Sequence, residues 1–399
     1  HFRHIFKDAE VKIAIISDQA IYSNIKEILE EFNIRTFSVE KIAELDSFAE
    51  LLEKGKKHPV EDTIKKLSTE ITEDDVATLI YTSGTTGLPK GVMLTHRNLV
   101  SQFLAVAPIS GMGIEHKALS FLPLCHVYER MLNYMYQYLG LSIYYAESIE
   151  KVGDNIRESS PNIFCAVPRV LEKTYDKIVA KGRDLKPIPK NIFFWALNLG
   201  KKYDPNRQGS LLYRFQLYIA DKLIFSKWRK ALGNQLEIIV SGSSSLQEEI
   251  SRVFWASGIK VMEGYGLTET SPVIAVSTLE PNGFKTGTVG PVLKGVEVKI
   301  ADDGEILARG PNVMKGYFKH PEWTKKIIDD NGWLKTGDIG KFEDNRFLKI
   351  TDRKKEMLKT SGGKYIAPQV LENLLKGSPF IEQVIVVGDT KNYAAALIV

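Results

Sequence analysis

Residues 76–91 read VATLIYTSGTTGLPKG, an apolar run that leads directly into a loop of glycines, hydroxyl groups and one lysine. The apolar run has the length and the branched side chains of a buried strand. Glycine lets the backbone approach a ligand closely, successive N–H groups form an anion site, and Lys90 adds a charge suited to phosphate. The stretch therefore predicts a strand followed by a phosphate-binding loop. An ordinary Gly/Ser/Thr turn is the alternative.

The spacing of this loop differs from that of the P-loop NTPases. Their motif is G-x-x-x-x-G-K-[ST], whereas Lys90 lies three residues after Gly87 and is followed by Gly91. A simple P-loop NTPase is therefore excluded. Residues 95–105, THRNLVSQFLA, predict a helix with Thr95 as its N-cap. The positive end of that helix would lie near the bound phosphates.

The composition is that of a globular protein from a reducing compartment. The 399 residues are 44% hydrophobic and 26% charged, which fits more than one domain or one large domain with an appendage. The net charge of +4 does not indicate a nucleic-acid partner. Two cysteines, Cys125 and Cys165, exclude a disulfide framework, and no apolar run reaches transmembrane length. We expect a cytoplasmic protein whose natural N-terminus precedes His1.

Alternating strand and helix patterns predict a parallel α/β sheet. The expected strands lie at residues 11–17, 35–39, 118–124, 162–167, 236–240 and 259–262. Short β segments then predict a β-rich subdomain over about 287–350. The fold class is therefore α/β. It consists of a large N-terminal domain of parallel-type sheets flanked by helices (1–350, incomplete at its N-terminus), a hinge (351–355) and a small, truncated α+β C-terminal domain (356–399).

Two basic stretches lie in the middle of the chain. Residues 181–210 contain several prolines among basic residues and predict a surface insertion. Residues 211–232 predict an amphipathic helix. One face of that helix is apolar and consists of Leu212, Phe215, Ile219 and Leu223. Packing of this face on the helix's own domain is the favoured interpretation, and contact with a membrane surface is the alternative.

Polar segments follow three of the predicted strands, at the strand ends where open α/β sheets bind ligands. The segment CHVYER places His126 at such an end, and a structural histidine beside a Glu–Arg ion pair is the alternative. SGSSS at 241–245 and EGYGLTET at 263–270 follow the next two strands. Both segments contain the glycines that a closely approaching backbone requires.

Five motifs occur in one order along the chain. They are SGTTGLPKG at 83–91, YGLTE at 265–269, TGD at 336–338, DRKKE at 352–356 and GGKYIAP at 362–368. With these motifs the chain resembles the adenylate-forming superfamily, which includes acyl-CoA synthetases, luciferases and peptide-synthetase adenylation domains. The segment LPLCHVYER at 122–130 and the long stretch before YGLTE are similar to those of the long-chain fatty acid–CoA ligases.

The resemblance implies a two-step reaction. The carboxylate of a long-chain fatty acid attacks the α-phosphate of ATP, which releases pyrophosphate and leaves an acyl-adenylate. Coenzyme A then takes the acyl group. The implied cofactor is Mg²⁺, and the implied substrates are fatty acid, ATP and coenzyme A. Peripheral contact with the inner face of a membrane and a homodimer are further expectations.

The resemblance also implies roles for individual residues. Binding of ATP or AMP is expected from Thr82, Ser83, Gly84, Thr85, Thr86, Gly87, Lys90, Gly242, Ser243, Ser244, Glu263, Gly264, Tyr265, Gly266, Thr268, Asp338 and Arg353. The expected catalytic residues are Thr85, Lys90, His126, Glu269 and Arg353. Glu269 and Thr85 are expected to hold Mg²⁺. Apolar walls for the acyl chain are expected within 131–145 and 241–246.

The segment that follows Thr351 resembles the hinge on which the C-terminal domain of the family turns between the two steps. Asp352 or Lys355 is the expected pivot. Coenzyme A would be bound by Gly362, Gly363 and Lys364. The family's adenylation lysine lies in a segment beyond Val399, so we expect an incomplete chain and not an inactive protein.

The sequence is also compatible with two other functions. The same chemistry could act on a medium- or short-chain, aryl or amino acid, or could deliver its product to a carrier protein. A protein that binds nucleotide or fatty acyl groups without turnover is the alternative of another class.

Overall fold

The computed structural model describes residues 1–83, 88–207, 209–359, 361, 365–376, 378, 380–381 and 383–399. They form one unit of residues 1–98 and 314–326, and a second unit of residues 99–313 and 327–399. The helices are α1 (Phe2–Asp8), α2 (Gln19–Glu31), α3 (Phe48–Lys57), α4 (Glu61–Glu70), α5 (His96–Ser110), α6 (Val127–Leu139), α7 (Val152–Ser159), α8 (Pro168–Arg183), α9 (Pro187–Lys201), α10 (Leu211–Ala220), α11 (Ser226–Ala231), α12 (Glu248–Ala256), α13 (Pro321–Ile327) and α14 (Pro368–Lys376).

The strands follow in the same chain order. They are β1 (Ile13–Ile16), β2 (Arg35–Ser38), β3 (Asp46–Ser47), β4 (Val76–Ser83), β5 (Pro89–Thr95), β6 (Lys117–Ser120), β7 (Ser142–Tyr145), β8 (Ile163–Ala166), β9 (Ile238–Ser241), β10 (Lys260–Gly266), β11 (Val273–Val276), β12 (Glu297–Ile300), β13 (Glu305–Arg309), β14 (Gly316–Tyr317), β15 (Leu334–Glu343), β16 (Phe347–Arg353), β17 (Leu358–Lys359), β18 (Tyr365–Ile366), β19 (Val384–Val387) and β20 (Ala395–Ile398).

In the first unit, β1, β2 and β3 form a parallel sheet against which α2 packs. The Asp18 carboxylate starts α2 by accepting a hydrogen bond from the Ile21 N–H at 3.0 Å. The helix then buries Tyr22, Ile25 and Leu29, which recur at the spacing of one helical face. The strand–helix–strand order predicted for this part of the chain is confirmed.

The motif strand belongs to an antiparallel hairpin. β4 pairs with β5 so that Thr82 lies opposite Lys90, and β14 pairs with the other edge of β5. The predicted strand at 76–80 is confirmed, but the prediction that it is buried is wrong, because Val76 is 41% exposed and Ile80 is the buried residue of the five. This strand has one sheet neighbour, whereas a central strand of a parallel sheet has two.

Thr95 caps α5 as predicted, since its hydroxyl accepts a hydrogen bond from the Asn98 N–H at 3.2 Å. The expected position of the helix start near the motif loop is wrong. The remaining six residues of β5, 90–95, separate Pro89 from α5. At about 3.4 Å per residue they span roughly 20 Å.

The second unit is built on the sheet β11-β10-β9-β8-β6-β7, which is parallel except for the β10–β11 pair. Successive residues face opposite sides: Ile163 and Ile238 pack in one hydrophobic cluster, and Phe164 and Ile239 pack in another. α6 covers the first cluster. The predicted parallel α/β sheet is confirmed, and both of its faces are covered, as expected for such sheets.

The prediction of a surface insertion at 181–210 is wrong. α9 begins at Pro187, which suits a first turn because proline lacks an N–H group that needs a partner there. Phe193 and Leu197 are buried in a cluster with Val253 of α12. The stretch therefore forms part of the core of its unit.

A π-helical turn, Asp221–Phe225, joins α10 to α11. The helical stretch 211–231 packs on its own unit, as the favoured interpretation of the sequence predicts. The face that packs differs from the predicted one. Ala220 and Trp228 are buried, whereas Leu212 and Phe215 of the predicted face are exposed. The exposed side therefore carries large apolar groups.

β12, β13, β15 and β16 form an antiparallel sheet, as the short segments at 287–350 predict. Asp344 and Asn345 turn the chain between β15 and β16 with φ angles of 51° and 52°. The domain boundaries at 350 and 355 stay a prediction. In the described part of the chain, no helix combines the length and apolar character needed to cross a bilayer.

Candidate functional site

A polar cavity of about 630 Å³ lies in the second unit, where the carboxyl ends of β9 and β10 meet β15, β16 and α14. Open α/β sheets bind ligands at such strand ends. The cavity brings together eight predicted nucleotide-binding residues: Ser243, Ser244, Glu263, Gly264, Tyr265, Gly266, Asp338 and Arg353. Residues proposed from separate motifs thus face one space.

Tyr265, Asp338 and Arg353 form a connected group in this cavity. The Tyr265 hydroxyl donates to Asp338 Oδ2 at 2.7 Å, and Arg353 Nε lies 3.1 Å from Asp338 Oδ1. The strand register explains the ion pair, since Asp338 and Arg353 are direct partners across β15 and β16. Burial raises the pKa of the Asp338 carboxyl, and the hydrogen bond from Tyr265 and the charge of Arg353 oppose that rise.

Glu263 lines the same cavity, and its buried carboxyl group has one oxygen without a partner. The residue is 6% exposed, and no hydrogen bond reaches Oε1 from any residue that the structure describes. Burial raises the pKa of Glu263 to about 8, against a backbone hydrogen bond at Leu246 that lowers it. The carboxyl group is therefore neutral near pH 7, when it can both donate and accept a hydrogen bond.

The backbone of the cavity wall is conformationally constrained. Ser243 has a φ of 75°, a left-handed conformation that is unfavourable for residues other than glycine. A Cβ atom at Gly266 would lie 1.7 Å from the carbonyl oxygen of Pro272, so glycine is required at this position. Such constraints concentrate at binding sites, where the surrounding structure holds them in place.

An apolar cavity of about 330 Å³ adjoins the polar one. Its lining comes from α5, α6 and the central sheet and includes Ile109, Met131, Met135, Ile238, Met262 and Val276. Ser243 and residues 264–267 line both cavities. Gly242 and Thr268, which were predicted to bind nucleotide, line the apolar cavity. An apolar group and a polar group can therefore be bound side by side at this wall.

His126 is the N-cap residue of α6 and lines the apolar cavity as an exposed side chain. The alternative of a buried structural histidine is therefore not supported. The neighbouring Glu and Arg are directed to different partners. Glu129 is 0% exposed and bonded to Ser120, while Arg130 Nε donates to the carbonyl oxygen of Leu124 at 3.0 Å.

The network around Glu129 was missed from the sequence. The hydroxyl of Ser120, the thiol of Cys165 and the amide of Asn133 all donate to its carboxylate. Burial raises the pKa of Glu129, and these hydrogen bonds oppose the rise. One signal was available: position 129 shares a helical face with the apolar Leu132, three residues further on.

Lys90 lies in the first unit above two aromatic rings. Its Nζ is 5.2 Å from the ring centroid of Tyr317 and 5.1 Å from that of Trp323. The His320 ring stacks on Trp323 with centroids 3.6 Å apart. Thr82 and Ser83 end β4. The predicted residues Gly84, Thr85, Thr86 and Gly87 lie outside the described part of the chain.

Thr268 and Glu269 belong to one 3₁₀ turn after β10. Within the described ranges, no group of three or more His, Cys, Asp or Glu side chains could hold a metal ion. One carboxylate fits Mg²⁺, because this ion commonly takes one or two protein carboxylates and completes its shell with phosphate oxygens and water. Glu269 therefore suits a Mg²⁺ that arrives with a nucleotide.

The end of β16 is held by several contacts. The buried Asp352 carboxylate accepts hydrogen bonds from the N–H groups of Arg353 at 2.7 Å and Gln369 at 3.3 Å. Lys354 Nζ lies 2.6 Å from carboxylate oxygens of both Asp303 and Glu305, an arrangement that the sequence did not indicate. The pivot role of Asp352 or Lys355 stays a prediction. Gly362, Gly363 and Lys364 lie outside the described residues.

Comparison with known proteins adds three findings. The family model described as AMP-binding enzyme matches residues 1–318. The long-chain-fatty-acid–CoA ligase FadD15 of Mycobacterium bovis is 38% identical over 338 residues, 81% of this chain and 54% of its own length. Fatty acyl-CoA synthetase A of Dictyostelium discoideum is 38% identical over 337 residues, 80% of this chain and 49% of its own length.

A solved structure shares the fold. The crystal structure of ATP-bound MatB from Rhodopseudomonas palustris has a TM-score of 0.68 at 22% identity, and the match covers 100% of this chain and 70% of that one. The predicted fold class is thus confirmed. The chain spans about half the length of the curated relatives that it matches.

Proposed function

Since the chain belongs to the AMP-binding enzyme family, we propose that the protein activates a long-chain fatty acid with ATP and passes the acyl group to coenzyme A. The shared wall of the two cavities carries this proposal. A chain bound in the apolar cavity can present its carboxyl group at Ser243 and residues 264–267, beside a nucleotide in the polar cavity. Both similar relatives have names that specify fatty acyl–CoA ligation, which supports this choice of substrate.

Each residue of the polar cavity has a proposed task. Asp338 would accept hydrogen bonds from the ribose hydroxyls, and Arg353 would donate to ribose or phosphate. Tyr265 would offer its ring to adenine, and its bond to Asp338 fixes the position of that ring. The unpartnered Oε1 of the neutral Glu263 carboxyl group would accept a hydrogen bond from a donor on the nucleotide base.

The adenylation step joins the carboxylate oxygen to the α-phosphorus and breaks the bond to pyrophosphate. His126 would stand between the carboxylate and the phosphate and reduce their repulsion. Thr82, Ser83 and Lys90 are proposed to bind the outer phosphates, together with residues 84–87. Mg²⁺ held by Glu269, with help from Thr85 or Thr268, would supply neutralisation of the phosphate charge.

The test is carboxylate-dependent exchange between ATP and pyrophosphate. The full-length protein is incubated with saturated acids of about two to eighteen carbons, since each buried CH₂ group contributes about 0.8 kcal/mol, and with aryl and amino acids. We expect exchange, and formation of AMP with coenzyme A, to be greatest for the long chains. If none of the carboxylic acids in the panel supports exchange, the proposal is overturned.

Three finer features are also proposed: coenzyme A as acceptor, a homodimer, and a cytoplasmic protein in peripheral contact with a membrane. The exposed Lys227 and Lys230 lie in α11, which follows α10 and its exposed apolar side chains in the sequence. Arg229 instead pairs with Asp221, with Nη1 2.5 Å from Oδ1, and so serves the fold. Sedimentation with anionic vesicles should weaken when Lys227 and Lys230 are replaced by Glu. Analytical ultracentrifugation tests the dimer.

A further inference from the structure

The hydroxyl of Tyr128 is a buried donor that the fold does not use. Its oxygen is inaccessible to solvent and has no hydrogen-bond partner among the residues that the structure describes. Burial raises the pKa of this phenol well above its usual value, so the group remains an O–H donor at physiological pH. A buried hydroxyl without a partner is unfavourable, and its presence beside a cavity indicates a partner on a ligand.

The position of this hydroxyl is specific. Tyr128 lines the apolar cavity with His126, and its ring packs on Gly242. A Cβ atom at Gly242 would lie 3.3 Å from Tyr128 Cζ and 3.4 Å from the hydroxyl oxygen. Gly242 directly precedes Ser243, which lines both cavities. The hydroxyl therefore lies next to the wall where the two cavities adjoin.

The chemistry of the ligand group follows from this position. An alkyl chain offers no acceptor and would leave the hydroxyl unpaired. A carboxyl group at the shared wall offers two acceptor oxygens, and a hydrogen bond to a charged acceptor is about twice as strong as one to a neutral group. The hydroxyl thus suits the head of a carboxylic acid whose tail occupies the apolar cavity.

We propose that the Tyr128 hydroxyl donates a hydrogen bond to the carboxyl group of the acyl substrate and holds that group at the wall shared with the nucleotide cavity. The inference rests on the proposed function and names a binding residue within it. Tyr128 acts on the orientation of the acid, and no bond to Tyr128 forms or breaks in the reaction.

The chain offers a matched control on the same helix. Tyr136 is 0% exposed, and its hydroxyl also has no partner among the described residues. Burial raises its pKa as well. Tyr136 is not among the described residues that line the apolar cavity. Tyr128→Phe and Tyr136→Phe therefore remove the same atom from similar surroundings, one beside the cavity and one within the core.

Steady-state kinetics of both variants test the proposal. Tyr128→Phe should raise KM for the fatty acid about tenfold or more and leave KM for ATP within about twofold of the wild type, because one hydrogen bond to a charged group is lost. Tyr136→Phe should change neither constant. Thermal unfolding of each variant should match or exceed the wild type, since an unpaired polar atom is removed.

A binding measurement gives an independent result. Isothermal titration compares a fatty acid with the primary alcohol of the same chain length. Tyr128→Phe should weaken binding of the acid more than binding of the alcohol. The alcohol has a neutral head group, which accepts a weaker hydrogen bond than a carboxylate does.

The outcomes separate the two proposals. A wild-type protein without fatty-acid-dependent AMP formation overturns the proposed function, and the inference falls with it. If the wild type is active and the two variants, Tyr128→Phe and Tyr136→Phe, have the same KM for the acid, only the inference about Tyr128 is overturned. A Tyr128→Phe effect confined to KM for ATP, or an equal loss for acid and alcohol, also overturns it.

Discussion

Glu263 shows how a single buried acid links binding and stability. Its pKa is raised from 4.5 to about 8, so between these pH values the unfolded chain releases a proton that the folded protein keeps. The unfolded state binds fewer protons in this window, and stability therefore falls as pH rises. We expect the free energy of unfolding to decrease by on the order of 3 kcal/mol between pH 5 and pH 8 through this group.

Urea unfolding of the wild type and Glu263→Gln at pH 5, 6.5 and 8 measures this effect. The variant should be the more stable protein at pH 8 and should lose most of the pH dependence. Glu249→Gln is the control, because Glu249 lines the same cavity but is largely exposed. Parallel pH profiles for the wild type and Glu263→Gln would show that Glu263 does not carry the proton.

Asp338 combines a buried carboxylate with two donors. Asp338→Asn retains an acceptor for the Tyr265 hydroxyl but removes the charge opposite Arg353. We expect KM for ATP to rise about tenfold or more, since a hydrogen bond to a charged group is weakened in a buried site. Asp344→Asn on an exposed turn should leave KM unchanged. Equal KM values for wild type and Asp338→Asn in pyrophosphate exchange would argue against a nucleotide role.

At the scale of elements, Lys354 connects the end of β16 to the start of β13. Its ammonium lies 2.6 Å from Glu305 Oε2, and Glu305 is buried. Lys354→Met leaves that carboxylate without its cation and should lower the free energy of unfolding by about 1–3 kcal/mol. Hydrogen exchange should speed up mainly over residues 354–359.

Lys349→Met, within β16, is the matched control. Lys349 pairs with Glu343 at 3.4 Å, and both partners are partly solvated. Loss of this ion pair should lower the free energy of unfolding by less than about 1 kcal/mol. If the two variants have the same amide hydrogen-exchange rates near residue 354, the Lys354 contacts do not restrain that segment.

At the scale of the whole molecule, the two adjoining cavities predict a preference for joined ligands. A ligand that binds only the folded state raises stability according to its concentration and affinity. An alkyl chain linked covalently to AMP avoids the cost of bringing two ligands together. It should raise Tm by more than AMP and the free acid added at the same concentration. A methyl ester of AMP is the control, and equal shifts for the methyl and long-chain compounds would contradict a continuous binding space.

The parallel α/β sheet was predicted from the sequence, and so were the segments that line the cavity at its edge. Glycine-bearing segments at strand ends identified the wall at 241–245 and 263–270, because the carboxyl ends of parallel strands meet at one edge. The strand at 76–83 was predicted, but its exposure was missed. Exposure depends on how strands pair, and here β5 pairs with both β4 and β14, which lie more than 200 positions apart. Local pattern does not contain that pairing.

The prediction of the buried face of the helix after Ser210 was wrong for a different reason. Apolar side chains occur on most sides of α10, so periodicity does not single out a buried face. The small Ala220 marks that face, and Tyr213 supports it through a 3.0 Å hydrogen bond to the carbonyl oxygen of Leu199. Likewise, the network around Glu129 of α6 depends on Cys165, which belongs to β8 and is 36 positions away in the chain.

The position of Lys90 above Trp323 has an optical consequence. An ammonium 5.1 Å from an indole centroid changes the field that the excited ring experiences, so the emission of Trp323 should depend on where the lysine lies. Pyrophosphate is an anion that competes with the ring for this charge. Mixing it with the protein should shift the emission, and Trp323→Phe should abolish the shift. The first unit thus carries a label-free signal for stopped-flow measurements of anion arrival at its motif lysine.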